Sequence, residues 1–224
     1  MKLTARQTLI AAAVALLPLA ASAQLSYNIG AVSLYKSRGI DQDSRATKAF
    51  RPSIQGGIDY AFDSGFYVGN WNATGKFANA NIEMDVYAGY KAKLGADAEL
   101  DLGFVRYIYP NSGAGFNGND VYIGLNYGMF SAKYYNGVSG SVDKNKYLTL
   151  GATLPISDKV AFKASVGWVN PNGPANDYND YSLGVSYAIN DGLSASIMAA
   201  GANKRAITGA AGKSRLILGI SQTF

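Results

Sequence analysis

The sequence predicts an all-β fold: a transmembrane antiparallel up-and-down β-barrel of about twelve strands, with short periplasmic turns and longer extracellular loops. Three observations carry that expectation. Apolar and polar residues alternate with period two in segment after segment, the connections between segments alternate short and long, and the chain closes on an apolar-faced strand with a terminal aromatic, Phe224. Composition agrees. Only 16% of the 224 residues are charged while 48% are hydrophobic, and Gly (26) and Tyr (16) are abundant. A soluble domain carries about 25% charged residues, so this surface is not wholly built for water. After residue 23 no apolar run approaches the roughly 20 residues of a spanning helix, whereas barrel strands cross a bilayer by alternation.

The elements follow in order. Lys2 and Arg6 precede an apolar stretch over 8–19, and Ala21-Ser22-Ala23 is a small-residue cleavage site. Residues 1–23 therefore read as a cleaved Sec-type signal peptide, and 24–224 as a single β-barrel domain. Loss of Lys2 and Arg6 takes the formal net charge from +5 to +3, too small an excess to suggest a nucleic-acid partner for an exported protein. Strands are expected at 25–35, 52–62, 66–72, 82–94, 99–109, 120–128, 130–137, 147–156, 160–169, 178–189, 193–201 and 214–224. The stretch 82–94 shows the pattern best. Ile82, Met84, Val86, Ala88, Tyr90, Ala92 and Leu94 share one face, and Glu83, Asp85, Tyr87, Gly89, Lys91 and Lys93 the other, as a strand with one apolar and one polar side requires.

The short connections fall at Asp63-Ser64-Gly65, 95–97, near Met129, Ser157-Asp158-Lys159 and Asn190-Asp191-Gly192, made of the residues that tight turns demand. The long ones are expected at 36–51, 73–81, 110–119, 138–146, 170–177 and 202–213. In the final strand Leu216, Leu218, Ile220 and Phe224 share a face that Gln222 interrupts. Such a strand is the signal through which the barrel-assembly machinery would engage the chain. A secreted β-sandwich would also alternate, but its polar faces would be rich in Lys, Glu and Thr, not Gly, Ala, Ser and Tyr.

The chain has no Cys and no His. Disulfides, thiolate metal sites, Cys-His and Ser-His-Asp catalysis and HExxH zinc chemistry are therefore excluded. No enzymatic activity, cofactor or metal is expected. Gly113-Ala114-Gly115-Phe116-Asn117-Gly118 spells GxGxxG, but a dinucleotide site needs a strand before it and a helix after it; here Pro110 precedes and a strand follows. Asp41-Gln42-Asp43-Ser44 hints at a calcium loop but lacks the glycine and closing Glu of an EF-hand, and reads as a solvated loop, as do Asp177 and Asp180. Asn72-Ala73-Thr74 matches a glycosylation sequon, uninformative in a bacterial context. Tyr35, Tyr60, Tyr107, Tyr109, Tyr134, Tyr135, Trp168, Tyr178 and Tyr181 cluster at strand ends, where amphipathic rings form membrane-interface girdles; inward rings could instead stack on sugars.

Charge on a lipid face costs roughly 2–4 kcal/mol at the midplane for Arg or Lys. The charges on polar strand faces, Asp59, Glu83, Asp85, Lys91, Lys93, Lys133 and Lys163, are therefore the pore-lining candidates. Arg38 and Arg51 are placed at the outer rim. Arg106 falls on an apolar face with Leu102 and Phe104, so either a bulge shifts the parity there or the side chain snorkels to the rim.

The stretch Val32-Ser33-Leu34-Tyr35-Lys36-Ser37-Arg38-Gly39-Ile40-Asp41-Gln42 resembles the opening of the TorF-family porins, proteobacterial outer-membrane barrels. Gln55-Gly56-Gly57-Ile58-Asp59-Tyr60, Ser64-Gly65-Phe66-Tyr67-Val68-Gly69-Asn70-Trp71, Ile82-Glu83-Met84-Asp85-Val86-Tyr87-Ala88-Gly89-Tyr90 and Val121-Tyr122-Ile123-Gly124-Leu125-Asn126-Tyr127-Gly128 are similar to later blocks of that family. Lys36-Ser37 depart from the aromatic or aliphatic residues usual before Arg-Gly. The resemblance is strong over 30–135 and implies an outer-membrane porin without supplying a solute.

The leading expectation is an outer-membrane channel for passive diffusion of small polar or charged solutes through a narrow lumen, since eight strands are filled by side chains and sixteen leave a wide channel. The alternatives are a structural or adhesive barrel with a plugged interior, and a channel specific for nucleosides or acidic oligosaccharides. Expected partners are outer-membrane lipid and lipopolysaccharide of a Gram-negative bacterium, the assembly machinery and small solutes; a homo-oligomer is left open.

Overall fold

The computed structural model describes residues 24–45, 49–172 and 176–224; the expected leader lies outside them. The strands are β1 (Gln24–Val32), β2 (Lys36–Ser37), β3 (Ile40–Asp41), β4 (Ser53–Ala61), β5 (Phe66–Phe77), β6 (Ala80–Leu94), β7 (Ala98–Ile108), β8 (Gly118–Tyr127), β9 (Phe130–Gly140), β10 (Lys146–Pro155), β11 (Val160–Asn170), β12 (Tyr178–Ala188), β13 (Leu193–Ala202) and β14 (Arg215–Thr223). Twelve of them, β1 and β4 to β14, form a closed antiparallel barrel in which each pairs with its neighbours in the chain. β1 closes the ring by pairing with both β4 and β14. At the seam Asn28 faces Thr223 and Val32 faces Gly219. Phe224 extends it: its N–H donates to the Tyr27 carbonyl at 2.9 Å, and the two rings stack at 5.0 Å.

The apolar residues point outward. Leu25, Ile29, Ile54, Ile58, Leu102, Ile123, Leu150, Leu183, Leu216 and Leu218 are all exposed, which in water would be an aggregation surface and in hydrocarbon is the barrel's solvent-facing side. Tyr27, Tyr60, Phe66, Tyr90, Tyr127, Phe130, Tyr187 and Phe224 ring the end that carries the termini and the short turns. Of the expected girdle residues, Tyr60, Tyr134, Trp168 and Tyr181 do face out, while Tyr35, Tyr107, Tyr109, Tyr135 and Tyr178 face the interior. The correction has a simple cause: one residue of parity moves a side chain to the other face, and an abundance of Tyr carries no information about parity.

The five short turns stand where expected, but one long loop does not exist. In place of a loop over 73–81, β5 continues to Phe77 and turns through Ala78 and Asn79 into β6, with a bulge between Thr74 and Phe77. A side chain from the next loop holds this hairpin shut. Ser112 Oγ accepts from the N–H groups of Asn79 (3.1 Å) and Ala80 (2.7 Å) and donates to the Phe77 carbonyl (2.7 Å). That tertiary support lies outside the local turn chemistry. Arg106 is settled too. β7 pairs with β6 without a shift from Ala98 to Ile108, so no bulge intervenes; the exposed Arg106 lies near the outer strand end and donates to Asn119 Oδ1 at 3.3 Å, which is snorkelling.

One strand breaks the apolar exterior. Asn70 and Asn72 of β5 fall on the outward parity, opposite Ile58 and Gly56. At roughly 2.5 Å of height per residue in a tilted strand they stand about 10 and 15 Å above Phe66, near mid-belt. Their amides are satisfied locally. Asn70 Nδ2 donates to the Asp85 carbonyl (3.2 Å), and Asn72 Nδ2 donates to Asn70 Oδ1 and to the Gly56 carbonyl (3.4 Å). Replacing Asn70 alone by Leu is expected to cost about 1 kcal/mol, because Asn72 loses its acceptor, whereas Asn70→Leu/Asn72→Leu restores or exceeds the original stability. Urea unfolding from lipid vesicles measures both; equal losses in the single and double variants would contradict the coupling.

Candidate pore interior

Inward residues are set by the same alternation. On one side of the barrel the wall is built from tyrosines laid over glycines of the adjacent strand. Tyr87 covers Gly69, Tyr67 covers Gly89, Tyr122 covers Gly103 and Tyr147 covers Gly167; a Cβ at any of these glycines would collide with the ring. The missing Cβ lets each ring rest against the wall, the pairing that rescues an otherwise weak strand glycine. The opposite wall, from β11 through β14 to β1, presents mostly small side chains, among them Ser165, Ser182, Gly184, Ser196, Gly219 and Ser221.

The tyrosine wall holds paired charges. Asp101, 2% exposed, accepts from Tyr67 OH at 2.5 Å and from Lys133 Nζ at 2.9 Å. Tyr67 and Tyr122 share a hydrogen bond at 2.5 Å, and the Lys133 ammonium sits 3.8 Å from the Tyr122 ring centroid. Lys91 stands 3.8 Å from Glu99 and 5.5 Å from the Tyr67 centroid. Asp59 accepts from Tyr87 OH, and Glu83 from Tyr109 OH at 2.6 Å. Asp85 lies inward, between Trp71 and Tyr107 in register. Lys163 is inward and half-buried between Thr153 and Gly184 on the small-residue side, and Lys93 is exposed at the short-turn end of its strand, opposite Glu99. Asp59, Glu83, Asp101, Lys91 and Lys133 are thus each met by an opposite charge or a hydroxyl, as a low-dielectric wall requires, whereas Asp85 keeps a buried oxygen without a hydrogen bond.

The first long connection enters the barrel with its described residues 33–45. Arg51 stands just before β4, its backbone N–H donating to the Ser33 carbonyl at 2.9 Å. Arg38 leaves the expected rim and reaches into the lumen. β2 and β3 form a small hairpin turning through Arg38 and Gly39, both at positive φ (48° and 73°), the backbone of a type I′ turn. Arg38 Nη2 donates to Asp120 Oδ2 at 2.8 Å and lies 3.5 Å from Tyr107 OH. Its guanidinium lies 4.8 Å from the Tyr147 centroid and 5.4 Å from that of Tyr135. Tyr35 packs edge-on against Trp71 (5.5 Å) and Phe77 (6.4 Å). Leu34, 1% exposed, packs with Ala200 and Ile217. The loop therefore crosses the outer half of the interior and touches walls on both sides.

Both carboxylates of the suspected calcium loop are engaged by bases of the same loop. Asp41 pairs with Lys36, which also donates to the Ala211 carbonyl at 2.8 Å. Burial pulls the Lys36 ammonium below its ordinary value, with Asp41 working the other way. Asp43 accepts from Arg45 Nε (2.9 Å) and Nη2 (2.6 Å), which hold its carboxyl below the usual range. The GxGxxG stretch forms a short 3₁₀ turn, Ala114–Phe116, and runs into a strand.

Sequence reasoning passes over Asp101 and Asp120, both almost fully buried, and reads Asp180 as a solvated loop residue although it lies buried in β12. Parity could have placed the first two inside, since Leu100 and Leu102 flank Asp101 and Val121 follows Asp120. Their partners depend on register and loop path.

A closed twelve-stranded antiparallel barrel with an apolar exterior and a polar, constricted interior defines a protein of the porin architectural class. The solved structures agree. A KdgM porin superposes with TM-score 0.61 at 13% identity, covering 89% of this chain and 99% of that one. A KdgM porin in complex with disordered oligogalacturonate gives 0.59 at 12%, covering 89% and 98%, and a NanC porin gives 0.57 at 12%, covering 90% and 99%. The chain belongs to the Gcw_chp family of bacterial proteins of unknown function, which matches residues 19–224. No curated protein matches it in sequence.

The tyrosine-on-glycine wall makes a direct prediction. Gly103→Ala must expel the Tyr122 ring and break its hydrogen bond to Tyr67, so a loss of about 1–3 kcal/mol is expected. Gly95→Ala, at an exposed turn with no atom within 4 Å of the added methyl, tests backbone strain alone and should cost less. Unfolding midpoints in vesicles compare them.

Proposed function

We propose that the protein is an outer-membrane channel for small polar or charged solutes, narrowed in its outer half by the inserted segment 33–45. The observation that carries this is the asymmetry of the interior. Bulky and charged side chains occupy the β5 to β10 wall, while the β11 to β1 wall is mostly Ser, Gly and Ala. A barrel selected to be solid would fill both sides with side chains. The pore-lining set comprises Asp59, Glu83, Asp85, Lys91, Lys93, Lys133 and Lys163. We also propose membership of the TorF-type porins on the blocks over 30–135, export by the leader, and assembly through the strand that ends in Phe224.

Two other functions remain in play. A plugged structural or adhesive barrel is favoured by the inserted loop itself. A channel for acidic oligosaccharides has a structural neighbour, a KdgM porin, solved in complex with disordered oligogalacturonate. Against it, Arg38, Lys91 and Lys133 here each face a carboxylate and do not form an open basic track. No catalytic role is proposed for a chain without His or Cys.

Single-channel recording of the refolded mature protein across a salt gradient is the test. Small reproducible steps are expected. Lys91→Gln/Lys93→Gln should shift the reversal potential toward cations, since Glu99 and Asp59 stay. Silence from protein shown to be folded would instead establish the plugged barrel.

A further inference from the structure

The groups that touch the Arg38 guanidinium all belong to barrel strands: Tyr107 of β7, Asp120 of β8, Tyr135 of β9 and Tyr147 of β10. Asp120 is fully buried, and its second oxygen, Oδ1, has no partner. Tyr135 and Tyr147 present ring faces, and Tyr107 OH donates to the same Asp120 oxygen at 3.0 Å. Glu83, Asp85 and Asp180 stand within electrostatic reach of the guanidinium. Glu83 Oε2, Asp85 Oδ1 and Asp180 Oδ2 are also buried without partners. One carboxylate in contact, two aromatic faces and three further carboxylates within electrostatic reach make a site for a planar or alkylated cation, the combination of ion pair and cation–π contact that suits guanidinium best.

The ligand is held there by a backbone that an arginine does not choose. Arg38 has φ 48° at the first central position of a type I′ turn, where Asn or Gly is preferred. Side-chain occupancy of the wall site offsets that local cost, and observed strain of this kind clusters at sites with a function.

We propose that this wall pocket is a binding site for guanidinium- or ammonium-bearing solutes, and that Arg38 occupies it as an internal ligand that a solute must displace. The assignment deepens the channel function above by naming its solute class. Displacement of Arg38 releases the tip of the inserted loop and exchanges one cation for another at Asp120, so the charge balance of the wall is kept while the solute resides there.

The test uses binding, which does not depend on ion flow. Arg38→Gly removes the side chain while favouring the turn's backbone, and Arg38→Ala serves as a second vacated variant if the first folds poorly. Titration of the refolded protein with methylguanidinium chloride, against sodium chloride of equal ionic strength, is followed by calorimetry and tyrosine fluorescence. The vacated variants should bind saturably and at least about tenfold more tightly than the original protein, the effect of removing a competing charge-assisted contact. Adding Asp120→Asn to Arg38→Gly should abolish that gain. No saturable binding to folded Arg38→Gly, or equal binding with and without Asp120, would overturn the site. A protein that conducts but does not bind refutes this assignment alone, whereas one that binds but stays silent in the bilayer refutes the channel alone.

Discussion

Everything in this molecule depends on satisfying backbone hydrogen bonds where no water can do so. An edge strand in hydrocarbon leaves a row of N–H and C=O groups, each costing several kcal/mol. Closing β14 onto β1 removes both edges at once, and the stacked Tyr27 and Phe224 rings lie at the end of that seam, where the chain stops. Once the ring is closed, alternation has only one meaning. Each strand sends one set of side chains to lipid and the other into an enclosed space, and the low charge content of the chain follows because half of the wall can carry almost none.

The enclosed space is then partitioned by size. Tyrosines need floor area, and the glycines beneath them supply it; serines and glycines opposite leave volume unfilled. The inserted segment 33–45 uses the anchors of the tyrosine side, reaching Asp120 through Arg38 and Trp71 through Tyr35, while Leu34 is buried against β13 and β14. Constriction is therefore built from a loop gripped at both walls. Arg51, just before β4, holds its return to the rim.

The architecture was legible because it is written in period two. Strand number, the side on which the termini lie and the terminal strand all follow from alternation and turn residues, which are local signals. What stayed hidden is non-local. The hairpin at Ala78 and Asn79 depends on Ser112, more than thirty residues away. Arg38 was assigned to the rim because loops normally run over surfaces; its inward path depends on Asp120, Tyr135 and Tyr147, contributed by three strands far along the chain. Tyrosine misled for a different reason. An amphipathic ring suits a membrane interface and a polar lumen equally, so only register separates Tyr134, facing out, from Tyr135, facing in.

The paired charges limit what the interior can do. At close range inside a low-dielectric wall an ion pair is nearly neutral to a passing solute, so Lys133 with Asp101 and Lys91 with Glu99 set local shape more than ion preference. Those pairs join barrel strand to barrel strand and are fixed for as long as the barrel is folded. The Arg38–Asp120 pair joins a strand to a loop, and a loop tip can leave at far lower cost than a strand. When it does, the wall around Asp120 changes from a compensated cluster to an acidic one. In the proposed channel the interior charge that a solute meets is set by where one turn of the chain resides, which makes selectivity and constriction two consequences of the same contact.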